Sequence, residues 1–133
     1  MIVADASVVA LTFMDSAEDP RVVEAHRILR ADTAWMVPEH WRTEVLSTIR
    51  GLWLGHKLDQ DRADKAFAAL TAMTVAVAPT GPHLARMWEL RSNLSTYDAA
   101  YVAVAEAHDV TLVTADVRIA KAGVARCPVR AIA

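Results

Sequence analysis

Cysteine is almost absent. Cys127 stands alone among 133 residues, which excludes an internal disulfide and fits a reducing compartment. Glycine and proline are scarce, at four and five residues, too few for a collagen-like repeat or a low-complexity tract. No basic excess exists: 14 Lys and Arg face 16 Asp and Glu, for a formal charge of −2. A whole-molecule field that attracts polyanions is therefore excluded, and any nucleic-acid contact has to come from a local patch. His26, His40, His56, His83 and His108 are scattered, with no Cys/His spacing suited to zinc. No apolar run reaches the length of a membrane span. The opening MIVADASVVALTFM lacks a basic segment and carries Asp5 inside its apolar part, unlike a secretory signal. The expectation is a soluble, cytoplasmic protein with no membrane contact.

What is present is a large apolar fraction, 54%, enough for a sizeable core in one domain spanning 1–133. Short apolar runs alternate with longer stretches of helical periodicity. MIVA, AWMVP, TVAVAP, VTLVT and VRAIA read as strands. The segments after Asp5, after Pro20, over 39–55, 59–73, 81–94, 97–108 and 117–122 read as helices. In the third of these, Trp41, Val45, Ile49, Leu52 and Trp53 form one stripe, and Gly55 suits its end. Strand–helix alternation of this kind predicts an α/β fold: a three-layer α/β/α sandwich around a central, mainly parallel sheet.

The acids fall at particular places in that pattern. A helix from Tyr97 to His108 runs roughly 18 Å away from Asp98, and VTLVTA returns nearly the same distance as a strand. Asp116 then finishes level with Asp98. Asp5 stands just past the first strand, so all three share the edge where strands end and ligands bind in open parallel sheets. Each Asp alone is explained as a helix cap, and Ser95 to Asp98 also resembles a capping arrangement. Three carboxylates at one edge repel one another unless protons or a cation intervene, and a hard divalent cation with oxygen ligands is the natural neutraliser. Glu39 and Glu44, at the start of the Trp-bearing helix, both remain open as a fourth acid.

IVADASVV, VPEHWRTEV and LSTYDAAYVAVAEAHDVTLVTAD, together with the overall length, resemble the PIN-domain ribonucleases, above all the VapC-type toxins of bacterial toxin–antitoxin pairs. YDAAYVAVA…LVTAD is the most specific part of the resemblance, which covers nearly the whole chain. The resemblance implies that Asp5, Glu44, Asp98 and Asp116 are the catalytic, metal-binding acids, and it selects Glu44 over Glu39. Thr114 matches the position that helps hold water at the metal or the last acid, and Ser7 the small hydroxyl residue two places after the first acid. It further implies Mg2+-dependent hydrolysis of RNA phosphodiesters, with Mn2+ as a possible substitute, a cognate antitoxin protein and a homodimer. The Trp-bearing helix, through Trp41 and Trp53, offers apolar surface for such partners. With the resemblance in hand, Arg118, Lys121 and Asn93 become candidate RNA contacts.

Other classes fit less well. A haloacid-dehalogenase-like phosphatase needs D-x-D after its first strand, where this chain has Asp5-Ala6-Ser7. A receiver-like domain needs an acid after the third strand and a late Lys, and TVAVAPTG and CPVRAIA supply neither. A PIN-like RNA- or partner-binding module without catalytic activity is the alternative that the sequence leaves standing.

Overall fold

A computed structural model describes residues 1–133. Five short parallel strands form its centre: β1 (Ile2–Ala4), β2 (Trp35–Pro38), β3 (Ala76–Ala78), β4 (Thr111–Thr114) and β5 (Val129–Ala131). Their spatial order is β3-β2-β1-β4-β5. The chain therefore leaves β1 toward one edge, then crosses back to lay β4 on the other side of β1. The β1/β4 seam is the switch point of the sheet, where a crevice opens at the strand C-termini. Seven helices flank it: α1 (Ala6–Leu11), α2 (Arg21–Ala31), α3 (Trp41–Leu54), α4 (Gln60–Ala72), α5 (Leu84–Glu89), α6 (Thr96–His108) and α7 (Val117–Ala122). The expected α/β/α sandwich is observed, with an entirely parallel sheet. No helix is long and apolar enough to cross a membrane.

Burial explains the sequence pattern. β1 is apolar on both faces because α6 packs on β1, β2 and β4, while α1 packs on β4, α2 and α3. α6 is the most buried helix, with every residue from Ala99 to Ala105 in the core. Its four alanines in that stretch leave room for the sheet to approach closely. It starts on a Ser95 side-chain cap that accepts from the Asp98 N–H and ends on Asp109 in a left-handed turn.

Three expectations are corrected or refined. The helix expected over 81–94 is a single 3-10 turn, Gly81–His83, followed by α5, which stops at Glu89. Gly55 does follow α3 but has φ −82°, and the left-handed turn belongs to His56. A Cβ at Gly55 would stand 3.2 Å from the Gly51 carbonyl, a tight contact that glycine avoids. The Trp stripe also divides: Trp41 is fully buried, whereas Trp53 is 43% exposed, so only Trp53 offers surface to a partner.

That division is measurable. Trp41→Ala should lower unfolding stability by about 3–5 kcal/mol, and Trp53→Ala by about 0.5 kcal/mol or less. Denaturant midpoints of the two variants check this, and equal losses would place both indoles in the core.

Candidate active site

The register of β1 and β4 builds the site. Ala4 pairs with Val113, so Asp5 lies beside Thr114 as the two strands end. The Asp5 N–H donates to the Val113 carbonyl at 2.9 Å, and the Thr114 hydroxyl donates to Asp5 Oδ2 at 2.6 Å. Ser7, in the first turn of α1, donates to the same Oδ2 at 2.8 Å and accepts the Ala115 N–H at 3.0 Å. Thr114 Oγ1 in turn accepts the Asp116 N–H at 2.9 Å. One short network thus fixes β1, α1 and the end of β4 to each other.

Asp5 occupies the N-cap position of α1 but makes no capping bond. Its carboxylate is turned into the network and buried. Burial, opposed by the Thr114 and Ser7 hydrogen bonds and assisted by the Glu44 and Asp98 charges, raises its pKa to about 6. Asp98 is half-buried on the first turn of α6, and burial, then the Asp116 and Glu44 charges, raise its pKa too. Asp116 behaves oppositely. Arg118 grips it with Nε to Oδ1 at 2.9 Å and Nη2 to Oδ2 at 2.6 Å, and this pair holds the Asp116 pKa below its usual value. Asp116 also caps α7, accepting the Arg118 N–H.

Glu44 reaches the cluster from α3. Tyr101 donates to Glu44 Oε1 at 3.3 Å and accepts the Ala6 N–H at 3.4 Å. Burial, with the Asp5 and Glu44 charges, pushes the Tyr101 hydroxyl far upward, which keeps it a donor. His40 Nε2 lies 3.4 Å from Glu44 Oε2 but out of line for a hydrogen bond. The His40 ring is held edge-on between Tyr97 and Tyr101, each 5.2 Å away by centroid. Glu39 points elsewhere, to the Thr80 hydroxyl and N–H, which removes it as the fourth acid.

Asp5, Glu44, Asp98 and Asp116 are therefore brought together, with Thr114 and Ser7 beneath them. Burial and then neighbouring acids raise the pKa of Asp5 and Asp98, yet no three His, Cys, Asp or Glu side chains stand close enough to hold a metal ion as they are oriented. The oxygens of Asp5 are turned to Ser7 and Thr114, of Glu44 to Tyr101 and of Asp116 to Arg118 instead. The donor set is all oxygen and mostly carboxylate, which fits a hard divalent cation. Buried acids with elevated pKa values mark where positive charge is missing. A groove of about 510 Å³ opens over the cluster, lined in part by Ser7, Arg21, Glu44, Thr48, Asp116 and Arg118. Of the candidate RNA contacts, Arg118 is on this groove. Lys121 is exposed on α7 and Asn93 in the turn before α6; neither lines it.

Sequence reading missed Tyr101 and His40. Their signal is spacing: Tyr101 lies one helical turn after Asp98, and His40 four residues before Glu44, the same face in each case.

An acidic crevice at the switch point of a parallel sheet marks an α/β domain with a ligand site at its strand C-termini, and comparison with known proteins narrows the class. The model of the PIN domain matches residues 2–125. Ribonuclease VapC9 of Mycobacterium tuberculosis is 33% identical over 132 residues, which cover 99% of this chain and 98% of that one. Ribonuclease VapC12 of the same organism is 31% identical over 121 residues, 91% of each chain. Among solved structures, M. tuberculosis VapC20, described as a sarcin–ricin loop cleaving toxin, superposes with a TM-score of 0.67 over 92% of this chain and 95% of that one, at 21% identity; this likeness supports the fold. The chain belongs to the PIN-domain family, among the VapC ribonucleases.

The buried acid has a signed consequence. Asp5 has a folded pKa near 6 against 3.8 when free. Between those values the folded state holds more protons, so stability falls as pH rises through the window. Asp5→Asn removes the ionisation while Oδ1 can still accept from both hydroxyls. In chelator at about pH 8 the variant should be the more stable by up to about 3 kcal/mol. Near pH 4 the difference should vanish. Thermal melts of both proteins across pH check it, and a difference independent of pH would mean that Asp5 titrates normally.

Proposed function

We propose that this protein is a metal-dependent endoribonuclease, the toxin of a toxin–antitoxin pair. The observation that carries the reading is the convergence of Asp5, Glu44, Asp98 and Asp116 on the β1/β4 crevice in a PIN domain. Mg2+ or Mn2+ is the cofactor we assign to the four acids, with Asp5 and Asp98 as the principal ligands. Such a cation, when bound, supplies Lewis-acid chemistry: it lowers the pKa of water and offsets charge on the phosphoryl oxygens.

The protein's own side chains prepare that chemistry. Ser7 and Thr114 hold one Asp5 oxygen and leave the other free. Tyr101 orients Glu44 with a hydroxyl that stays protonated. Arg118 spends one edge of its guanidinium on Asp116. Three of its five N–H donors remain for a phosphate, which supports its role as an RNA contact. Lys121 and Asn93 are the remaining contacts we assign, further out.

Partners follow from exposed apolar surface. Leu46, Trp53 and Phe67 line a groove of about 270 Å³ between α3 and α4, suited to an antitoxin segment. Leu84, Trp88 and Tyr97 are exposed around α5 and the start of α6, a surface we assign to a homodimer. A cytoplasmic location accords with the lone thiol.

The test is cleavage of total cellular RNA by the purified protein with Mg2+, Mn2+ or chelator. Asp98→Asn removes charge with little change of volume and should lower cleavage about 100-fold or more. Undiminished cleavage by that variant, or in chelator, sinks the assignment. RNA binding without cleavage in either cation identifies a binding module instead.

A further inference from the structure

A second cleft, of about 740 Å³ and so roomier than the acidic groove, lies between α2, α4 and the loop that follows α1, lined by Met14, Val23, His26, Arg27, Arg30 and Arg62 among others. Three arginines face one acid there, Asp15, in a chain whose net charge is −2. Arg62 makes only a long 3.6 Å contact with Asp15, and Arg27 is held by Glu24. Arg30 is exposed and makes no ion pair. Nothing in the folding of the domain requires these cations to gather on one cleft.

The cleft adjoins the acidic groove. Met14 lines both. Arg21, at the first position of α2 and paired with Asp19 at 2.7 Å, lines the acidic groove together with Asp116 and Arg118, and α2 then carries Arg27 and Arg30 away from it. Arg21 and Arg30 are about 13 Å apart along the helix axis and half a turn apart around it, so each faces its own cleft and a strand of a few nucleotides passing between them crosses over Met14. The space between the arginines is floored by Met14 and Val23 and bordered by the His26 ring. Arginine for phosphate, with an imidazole or guanidinium plane for bases, is how single-stranded RNA is gripped without reading its sequence.

We infer that the α2–α4 cleft is a second RNA-binding subsite, which takes the phosphate backbone of a single strand as it leaves the acidic groove over Met14. The inference rests on the ribonuclease reading and extends it: part of the RNA affinity is assigned to Arg30 and Arg62, distant from the acids. RNA is favoured over an acidic peptide by the continuity of this cleft with the groove that would hold the scissile phosphate.

The test is fluorescence anisotropy with a single-stranded oligouridylate of about twenty nucleotides, in chelator, over a range of salt. The Arg30→Gln/Arg62→Gln variant is compared with wild type and with Lys57→Gln/Arg126→Gln, which removes the same charge elsewhere. All four side chains belong to surface positions, and circular dichroism melts verify folding. If two phosphate contacts are lost, the slope of log K against log salt should flatten by about 1.4 in the first variant and stay unchanged in the second. Equal flattening in both, or in neither, overturns the subsite. If total-RNA cleavage still needs divalent cation and Asp98 in that case, the ribonuclease reading survives without it. Wild type that neither binds nor cleaves RNA overturns both.

Discussion

The site depends on one buried carboxylate placed where two parallel strands end. Asp5 cannot take the exposed helix-capping position usual for its place in the chain, because its side chain is claimed by Thr114 from the neighbouring strand and by Ser7 from the next turn. Two hydroxyls soften the cost of burial without supplying charge. The carboxylate therefore remains held in place and under-neutralised. A hydroxyl network is suited to that task where an arginine is not: a guanidinium at the same point would satisfy the acid and leave nothing for a cation to do.

Around Asp5 the elements are arranged so that acids reach the crevice from different directions. α6 crosses three strands and brings Asp98 on its first turn and Tyr101 on its second. α3 brings Glu44, and the end of β4 brings Asp116. Because each acid comes from a separate element anchored in the core, none can retreat far from the others. The raised pKa values of Asp5 and Asp98 follow from burial first and from the neighbouring acids held near them second. Tyr101 ties two of these elements together, since its one hydroxyl meets both α1 and Glu44.

The fold was legible because its pattern is local. Apolar runs bounded by turns mark the strands, and a sheet covered on both faces needs no alternation to be recognised. The level placement of Asp98 and Asp116 followed from helix rise and strand rise alone. Glu44 was not legible from the residues: Glu39 fitted equally well until its bond to Thr80, forty-one positions away in the chain, was visible. Whether Trp41 or Trp53 lies outside was illegible for a related reason. Both belong to one apolar stripe, and only the distance from the sheet to the end of α3 separates a core indole from a surface one. The early stop of α5 is likewise tertiary. Met87, Leu90 and Leu94 are all buried at a spacing that a continuous helix would share, so the sequence pattern does not reveal the stop.

Charge is handled in the same local way. A protein with more acids than bases has to approach a polyanion without a general attraction, and its acidic crevice repels phosphate outright. The repulsion is relieved in two places. At the crevice, Asp116 is already neutralised by Arg118, whose outer edge remains available. Along α2, Glu24 is shared by Arg27 and Arg130, which lowers its pKa to about 2, so that acid stays ionised and held while Arg30 beside it is left uncompensated. Fixing acids onto particular arginines decides which cations face solvent free. A chain whose overall charge supplies no general attraction to nucleic acid can in this way present basic side chains beside a site that demands a cation.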